Sequence, residues 1–381
     1  MIKSKAIISA SSFLSMFFLG IGVTIIGATA RNIGLTPFQI GLLIIVQNIG
    51  FGLSVIVTGT LADSYEKPKI LFVGSIILAL SFFFFFRLSN SLFINCIIMF
   101  FIGVGIGSYE GVTDAMLLDI HKKRETFYIN INHFFVTFGS IIITTYIIFL
   151  NMNWRDSLLQ SSICVFLLTI IFIMITLKVK KSKTIKLSER LKILTQKKGV
   201  IILFFITAIA VGLEVEFVGI ITTFLMNLKN FSQTISKIGL ILFFSGIATG
   251  RIFIGLFSKK QLIFLFLLLL CGSSTILLIG LLLIQINILV YVLIFLCGIT
   301  FSAVLPLAIT LAGLLYKDIA GTVIGVLKIA IPIGGIIIPF IFSIVAKYFS
   351  FNTSLFLLPV FTFITFIIIL LNKEILTLSD S

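Results

Sequence analysis

Charge is what this 381-residue chain has least of: 11% of its residues are Asp, Glu, Lys or Arg, against 59% hydrophobic. A soluble domain averages about 25% charged residues, so an ordinary water-soluble fold is excluded. Cysteine is scarce as well. Cys96, Cys164, Cys271 and Cys297 show no CxxC spacing and fall in four different apolar segments. That excludes a disulfide framework or thiolate metal site and reads them as small buried hydrophobes. The two histidines, His121 and His133, form no HExxH-like pair, which argues against a metal-dependent enzyme within the membrane. No ATP-binding loop is present, which removes ATP hydrolysis as an energy source.

What is present is apolar sequence, with a mean hydropathy of +1.27. Twelve segments are long enough to cross a bilayer, which takes about 20 apolar residues. They read as 6–29, 38–61, 70–88, 91–118, 126–150, 157–177, 199–226, 236–257, 262–284, 288–315, 319–346 and 354–372. The expected fold class is therefore an all-α integral membrane protein. The first segment ends Ala28-Thr29-Ala30, which resembles a signal-peptidase site. It is longer than the 7–15-residue core of a signal peptide and is read as a span.

A net charge of +15 and a pI of 9.8 raise the question of nucleic acid. The placement of the cations answers it. Of the 28 Lys and Arg residues, 20 lie on the side of the N-terminus, six on the other side, and Arg251 and Lys328 inside spans. Positive charge collects on the cytoplasmic side, so both termini are expected there, in a multi-pass plasma-membrane protein. The excess cations read as topology signals, some in contact with anionic lipid, and not as a nucleic-acid surface.

The polar stretch 178–198 carries nine cations against Glu189 and separates six spans (1–177) from six more (199–381). It reads as a cytoplasmic linker, or in part as a short amphipathic helix around Leu187–Leu194 on the membrane surface. The halves echo each other at an offset of 196 residues: Gly50 with Gly246, Gly59 with Gly255, and Gly139 with Gly335. Matched positions in equivalent spans indicate a parallel internal repeat, as in transporters built from two six-helix halves.

After span 2 the chain reads Gly59-Thr60-Leu61-Ala62-Asp63-Ser64-Tyr65-Glu66-Lys67-Pro68-Lys69. This resembles the GxLaDRxGRk signature of the major facilitator superfamily, departing from it at Ser64, Glu66 and Pro68. Gly250-Arg251 and Gly255-Leu256-Phe257-Ser258-Lys259-Lys260 resemble the second-half form of the same signature. A narrower resemblance joins Gly107-Ser108-Tyr109-Glu110, Asp114 and Asn130-Ile131-Asn132-His133 in spans 4 and 5 to the sugar-permease branch with fucose–proton symporters. Val211-Gly212-Leu213-Glu214 in span 7 is similar to that branch too. Span 1 has no acidic residue, where the fucose symporters carry one, and the GxxxxGPxxGG pattern of drug exporters is missing from span 5. The resemblance implies two six-helix halves, alternating access and a gate in which Asp63 meets the start of span 11 near Ala320.

The residues themselves point to a site. Ionisable groups inside a membrane cost at least ~2.5 kcal/mol each on insertion scales and therefore face a bundle interior or a watery cavity. Glu110 and Asp114, four apart, share one helical face. Glu110, His133, Arg251 and Lys328 all fall roughly 9–14 Å from the cytoplasmic ends of their spans at 1.5 Å per residue. Glu110 is the candidate proton or solute site, with His133 as its partner in sharing a proton. Asp114, nearer the helix end, is expected at a gate or in contact with solute. Asn130 and Asn132 can add hydrogen bonds or only soften the start of span 5; Gln47 and Asn48, mid-span in span 2, bind solute or link helices. Lys328 either bridges to Glu110 or Asp114 across the halves or attracts an anionic solute. Arg251 reads as structural and part of the gate, with Gly59 and Gly255. Glu214 and Glu216 lie roughly 200° apart around span 7, so only one faces a central cavity, and the resemblance favours Glu214. Pro306, Pro332 and Pro339 are expected to bend spans 10 and 11, and Trp154 and Tyr348 to mark the outer interface.

The expected function is secondary active transport by alternating access, as proton-coupled uptake of a small polar solute such as a sugar. Export of amphipathic compounds by proton antiport is the alternative, and a membrane-embedded enzyme a remote one. The expected partners are a small solute, protons and the bilayer; no cofactor or metal is expected, and the chain is expected to act as a monomer.

Overall fold

The computed structural model describes residues 4–62, 65–121, 125–177, 197–257, 260–316 and 319–377. Contacts divide the chain into two compact units, Met1–Thr184 and Ile185–Ser381. The basic connector, up to residue 196, lies outside the described residues, as does Asp63. The first unit holds α1 (Lys5–Ile33), α2 (Pro37–Leu61), α3 (Lys67–Phe84), α4 (Leu92–Ile120), α5 (Glu125–Phe149) and α6 (Trp154–Met174). The second holds α7 (Lys198–Leu228), α8 (Gln233–Phe257), α9 (Ile263–Leu283), α10 (Asn287–Phe301), α11 (Val304–Leu315), α12 (Ala320–Tyr348), α13 (Phe351–Leu355), α14 (Leu357–Leu371) and the short α15 (Lys373–Leu376). Twelve spans long and apolar enough to cross a membrane result, with α10 and α11 forming one and α13 and α14 another.

The helices form where the chain has long apolar runs because a backbone in lipid must satisfy its own hydrogen bonds. Their ends are set locally. Thr36 and Gln39 exchange the reciprocal bonds of a capping box in front of Pro37 at the start of α2. Gly34 closes α1 in the left-handed conformation at φ 83°, where a side chain would be strained.

Polarity is arranged inside out relative to a soluble protein. Phe93, Phe149 and Ile276 are more than 70% exposed. Ser12, Ser15, Thr113 and Thr144 are fully buried. Many interior hydroxyls bond back to carbonyls one turn earlier, as Ser15 does to Ser11 and Thr144 to Ser140.

The packing repeats from one unit to the other. In the first, α2 packs on α4, α1 on α5, and α3 on α6; in the second, α8 packs on α10, α7 on α12, and α9 on α14. Because lipid gives no hydrophobic reward for helix association, these pairs depend on close backbone approach. A Cβ on Gly103 would stand 2.0 Å from the Gln47 carbonyl oxygen, and one on Gly50 2.1 Å from that of Phe100. In the second unit the corresponding contacts are Gly298 on Phe243 (2.2 Å) and Gly246 on Phe295 (2.1 Å). The Gly50–Gly246 match seen in the sequence is thus a pair of equivalent helix crossings. Gly139 approaches the Phe17 carbonyl within α1–α5, and the residue making the equivalent approach in α7–α12 is Gly334, one position before the expected Gly335.

Three expectations take a more exact form. The prolines act unequally: α12 runs unbroken through Pro332 and Pro339, whereas the tenth span breaks at Ser302–Ala303, ahead of Pro306. Pro306 has no N–H for the Ser302 carbonyl, and Arg251 Nε donates to that oxygen at 3.4 Å instead. Trp154 is covered by its own unit. It is 3% exposed, packed edge-on against Phe85 and Phe86 and covered by the Arg155 guanidinium at 4.5 Å. Cys164 faces outward, while Cys271 and Cys297 are buried as expected.

Candidate functional site

The polar centre of the first unit lies where α4 meets α5. Helical spacing stacks Glu110 and Asp114 one turn apart, and α5 brings Asn132 and His133 against them. Asp114 Oδ1 accepts from Asn132 Nδ2 at 2.9 Å, and Asp114 Oδ2 pairs with His133 Nε2 at 3.0 Å. The same Asn132 amide donates to Thr113 Oγ1 at 3.0 Å, and the Thr113 hydroxyl donates to the Tyr109 carbonyl. Asn132 is fully buried. Its side-chain oxygen has no hydrogen-bond partner among the described residues. Glu110, Asp114 and His133 each offer one donor atom, and the three atoms lie within 4.8 Å of one another. Such a set could accept a shared proton, hydroxyl groups or a small cation.

The geometry adds two details to the expected site. His133 takes Asp114 as its hydrogen-bonded partner, with Glu110 one turn away in the same cluster. The bonds of the two α5 side chains therefore converge on Asp114. Of the two expected amides, Asn132 reaches Asp114; the Asn130 side chain lies outside the described residues. The available signal was register, since Asn132 and His133 are adjacent and bind the two oxygens of one carboxylate.

The remaining candidates separate from this cluster. Gln47 Nε2 donates to the Gly22 carbonyl at 2.7 Å and so ties α2 to α1. Asn48 bonds back to Ile44 at 2.9 Å within its own helix. Gly59 stands opposite the Gly111 carbonyl, 3.9 Å from a notional Cβ, beside the cluster. Asp119, which the sequence reading did not single out, forms a 2.7 Å ion pair with the buried Lys67, joining the start of α3 to the end of α4. At His121, just past the end of α4, Nε2 bonds Ser9 Oγ of α1 at 2.7 Å, and Tyr128 of α5 stacks on the imidazole. Burial, and then the positive charge of Lys5, hold His121 below the usual histidine pKa.

In the second unit Arg251 and Lys328 are half-buried, and Gly255 lies near the end of α8. The Arg251 charge acts on Glu214, the partly buried carboxylate of α7. Glu216 is 1% exposed, and neither of its carboxylate oxygens has a hydrogen-bond partner among the described residues. Leaving a buried polar group unmatched costs about 1–3 kcal/mol, and more if it is charged. Two cations counted on the outer side are also buried. Lys237 is 2% exposed, and Lys229 Nζ donates to the Leu282 and Ile284 carbonyls at 3.2 and 2.6 Å, neutralising the C-terminal end of α9.

Twelve apolar helices in two units with the same packing pattern, holding ionisable clusters inside, define a multi-pass membrane protein of the secondary-transporter class. Residues 8–331 match the model of the Major Facilitator Superfamily, and the chain belongs to that family. It is similar in fold to a bacterial homologue of the human lysosomal transporter Spinster, with a TM-score of 0.78, 14% identity and complete coverage of both chains. A point mutant of the nucleoside transporter NupG aligns with a TM-score of 0.76 and 12% identity over 96% of this chain and 99% of that one. In sequence, the chain is 29% identical over 171 residues to the glucose/mannose transporter GlcP of Bacillus subtilis strain 168. That alignment covers 45% of this chain and 41% of GlcP, so the chain spans under half the length of this relative.

Proposed function

We propose that this transporter takes up a small polar solute, such as a sugar, together with protons, by alternating access. The observation that carries the reading is the Glu110–Asp114–His133 cluster, tied by Asn132 and set within an apolar helix bundle. Ionisable groups at such a depth are costly and mark ion or substrate pathways. Two carboxylates and an imidazole within 4.8 Å can hold a proton in more than one place. Glu110 and Asp114 supply acceptors suited to sugar hydroxyls, and the resemblance of part of the chain to a glucose/mannose transporter supports that solute class.

In this reading the termini and the basic connector at 178–198 face the cytoplasm, in line with the excess of Lys and Arg on that side. Asp63 acts at the cytoplasmic gate. Arg251 holds the broken tenth span by its bond to Ser302.

The test is uptake of labelled hexoses, polyols and amino acids by energised cells, with and without a protonophore, for the natural sequence and for Glu110→Gln. One solute should accumulate, collapse with the protonophore and fail to accumulate in the variant, which should still exchange it at equilibrium. Unchanged accumulation in Glu110→Gln removes the proton role of this cluster. Absence of uptake, with lowered accumulation of a dye, replaces import by export.

A further inference from the structure

We infer that Glu216 is a proton-binding site of the second unit, held as the un-ionised acid in this conformation and exchanging its proton during the transport cycle. The inference extends the proton-coupled reading beyond the first-unit cluster.

A Cβ on Gly334 would meet the Ala208 carbonyl, and one on Gly212 would meet Gly334 and Ile338, so α7 and α12 run in parallel. Glu216 lies one turn beyond Gly212 on the same face of α7. It is thereby brought level with the α12 stretch from Ile338 to Phe342, both of which are buried and apolar. On the neighbouring face, Phe217 packs against Phe243 of α8 and Phe301 of α10. The carboxyl is thus set in a hydrocarbon seam, 1% exposed, with neither oxygen hydrogen-bonded among the described residues.

The charged groups on the helices around it act elsewhere. Helix α8 carries Lys237 and Arg251, α12 carries Lys328, Lys347 and Tyr348, and α11 and α14 carry no ionisable side chain. On α10, the Tyr291 hydroxyl donates to the Ile235 carbonyl, and Cys297 is an uncharged buried thiol. Lys237 precedes Gly239, which abuts Leu225, and this sets it about 14 Å or more along α7 from Glu216. Arg251 acts on Glu214, on the far side of α7. Lys328 lies at least ten residues inward of the level of Glu216 along α12, or about 15 Å. Lys347 lies five or more residues outward, about 8 Å or further. A bare carboxylate with no nearby counter-charge and no donor among the described residues is not sustainable in such a seam, and the proton is its remaining partner. A side chain needed only for packing would be apolar here at no cost, so the retained carboxyl points to a use in the cycle.

The test is infrared difference spectroscopy of the protein in proteoliposomes at neutral pH, comparing the natural sequence with Glu216→Gln and Glu216→Leu. Melting temperature verifies that each variant is folded, and the two replacements guard against failure of either. The natural protein should show a carbonyl band of an un-ionised carboxyl that both variants lack. That band should shift in deuterium oxide. Absence of a Glu216-dependent acid band overturns the inference, and so does a band that never exchanges with deuterium. Neither outcome depends on solute uptake, so failure of the Glu110 reading would remain separable.

Discussion

Replacing Asp114 with Asn removes the charge on which two bonds of the α4–α5 site converge. In the native site one oxygen accepts from Asn132 at 2.9 Å and the other pairs with His133 at 3.0 Å. Bonds to a charged partner contribute about 1.5–3 kcal/mol, against about 0.5–1.5 kcal/mol for neutral ones. Asparagine keeps one carbonyl oxygen, so one bond survives in weaker form, while its new NH2 faces a donor or a reoriented imidazole. The His133 side chain is 37% exposed and that of Asp114 16%, so water discounts their pair. Fully buried Asn132 has no such compensation. The expected loss is on the order of 2 kcal/mol for Asp114→Asn, with about 1 kcal/mol of it shared with His133. For a unit of this size that lowers the melting temperature by roughly 4–8 °C. The assay is a double-mutant cycle of Asp114→Asn and His133→Gln, read by thermal unfolding of purified protein in detergent. Additive losses, agreeing within about 0.3–0.5 kcal/mol, would refute the pairing.

Two further outcomes test the frame around the site. Gly103→Ala should destabilise by about 1–3 kcal/mol, because its Cβ would stand 2.0 Å from a backbone oxygen that cannot yield without moving α2 from α4. Gly59→Ala, 3.9 Å from its nearest neighbour, should be close to neutral; equal melting temperatures for the two would contradict the seam. His121 bears on pH. Its folded-state pKa is lowered by burial and then by Lys5, so the folded protein binds fewer protons there than the unfolded chain. The contribution of this group is present above the ordinary histidine value and is lost as pH falls through the folded value. His121→Gln should therefore flatten the loss of melting temperature between about pH 7 and about pH 5. An unchanged acid slope rules His121 out as its source.

Much of the architecture was legible in the chain because its cause is local. Apolar run length set the twelve spans, and the helix ends moved by only a few residues when folded. The offset of Gly50 and Gly246 revealed the repeat because close crossings demand glycine at equivalent places. Composition also placed Glu110, Asp114 and His133 inside the bundle, since charges are too costly to leave in lipid.

Only the tertiary structure decided how these groups meet. One residue along a helix is a rotation of about 100°, so whether Asn132 reaches Asp114, or which of Glu214 and Glu216 is enclosed, depends on how each helix is turned against its neighbour. The same holds for the partner of His133, which follows from the axial offset of α4 and α5. Pro306 breaks its span while Pro332 and Pro339 do not, and it is Arg251, 51 residues from Ser302, that takes up the released carbonyl. Hydropathy is carried by each residue alone and is readable along the chain. Hydrogen-bond partnership belongs to pairs brought together by packing, and it exists only once the helices have docked.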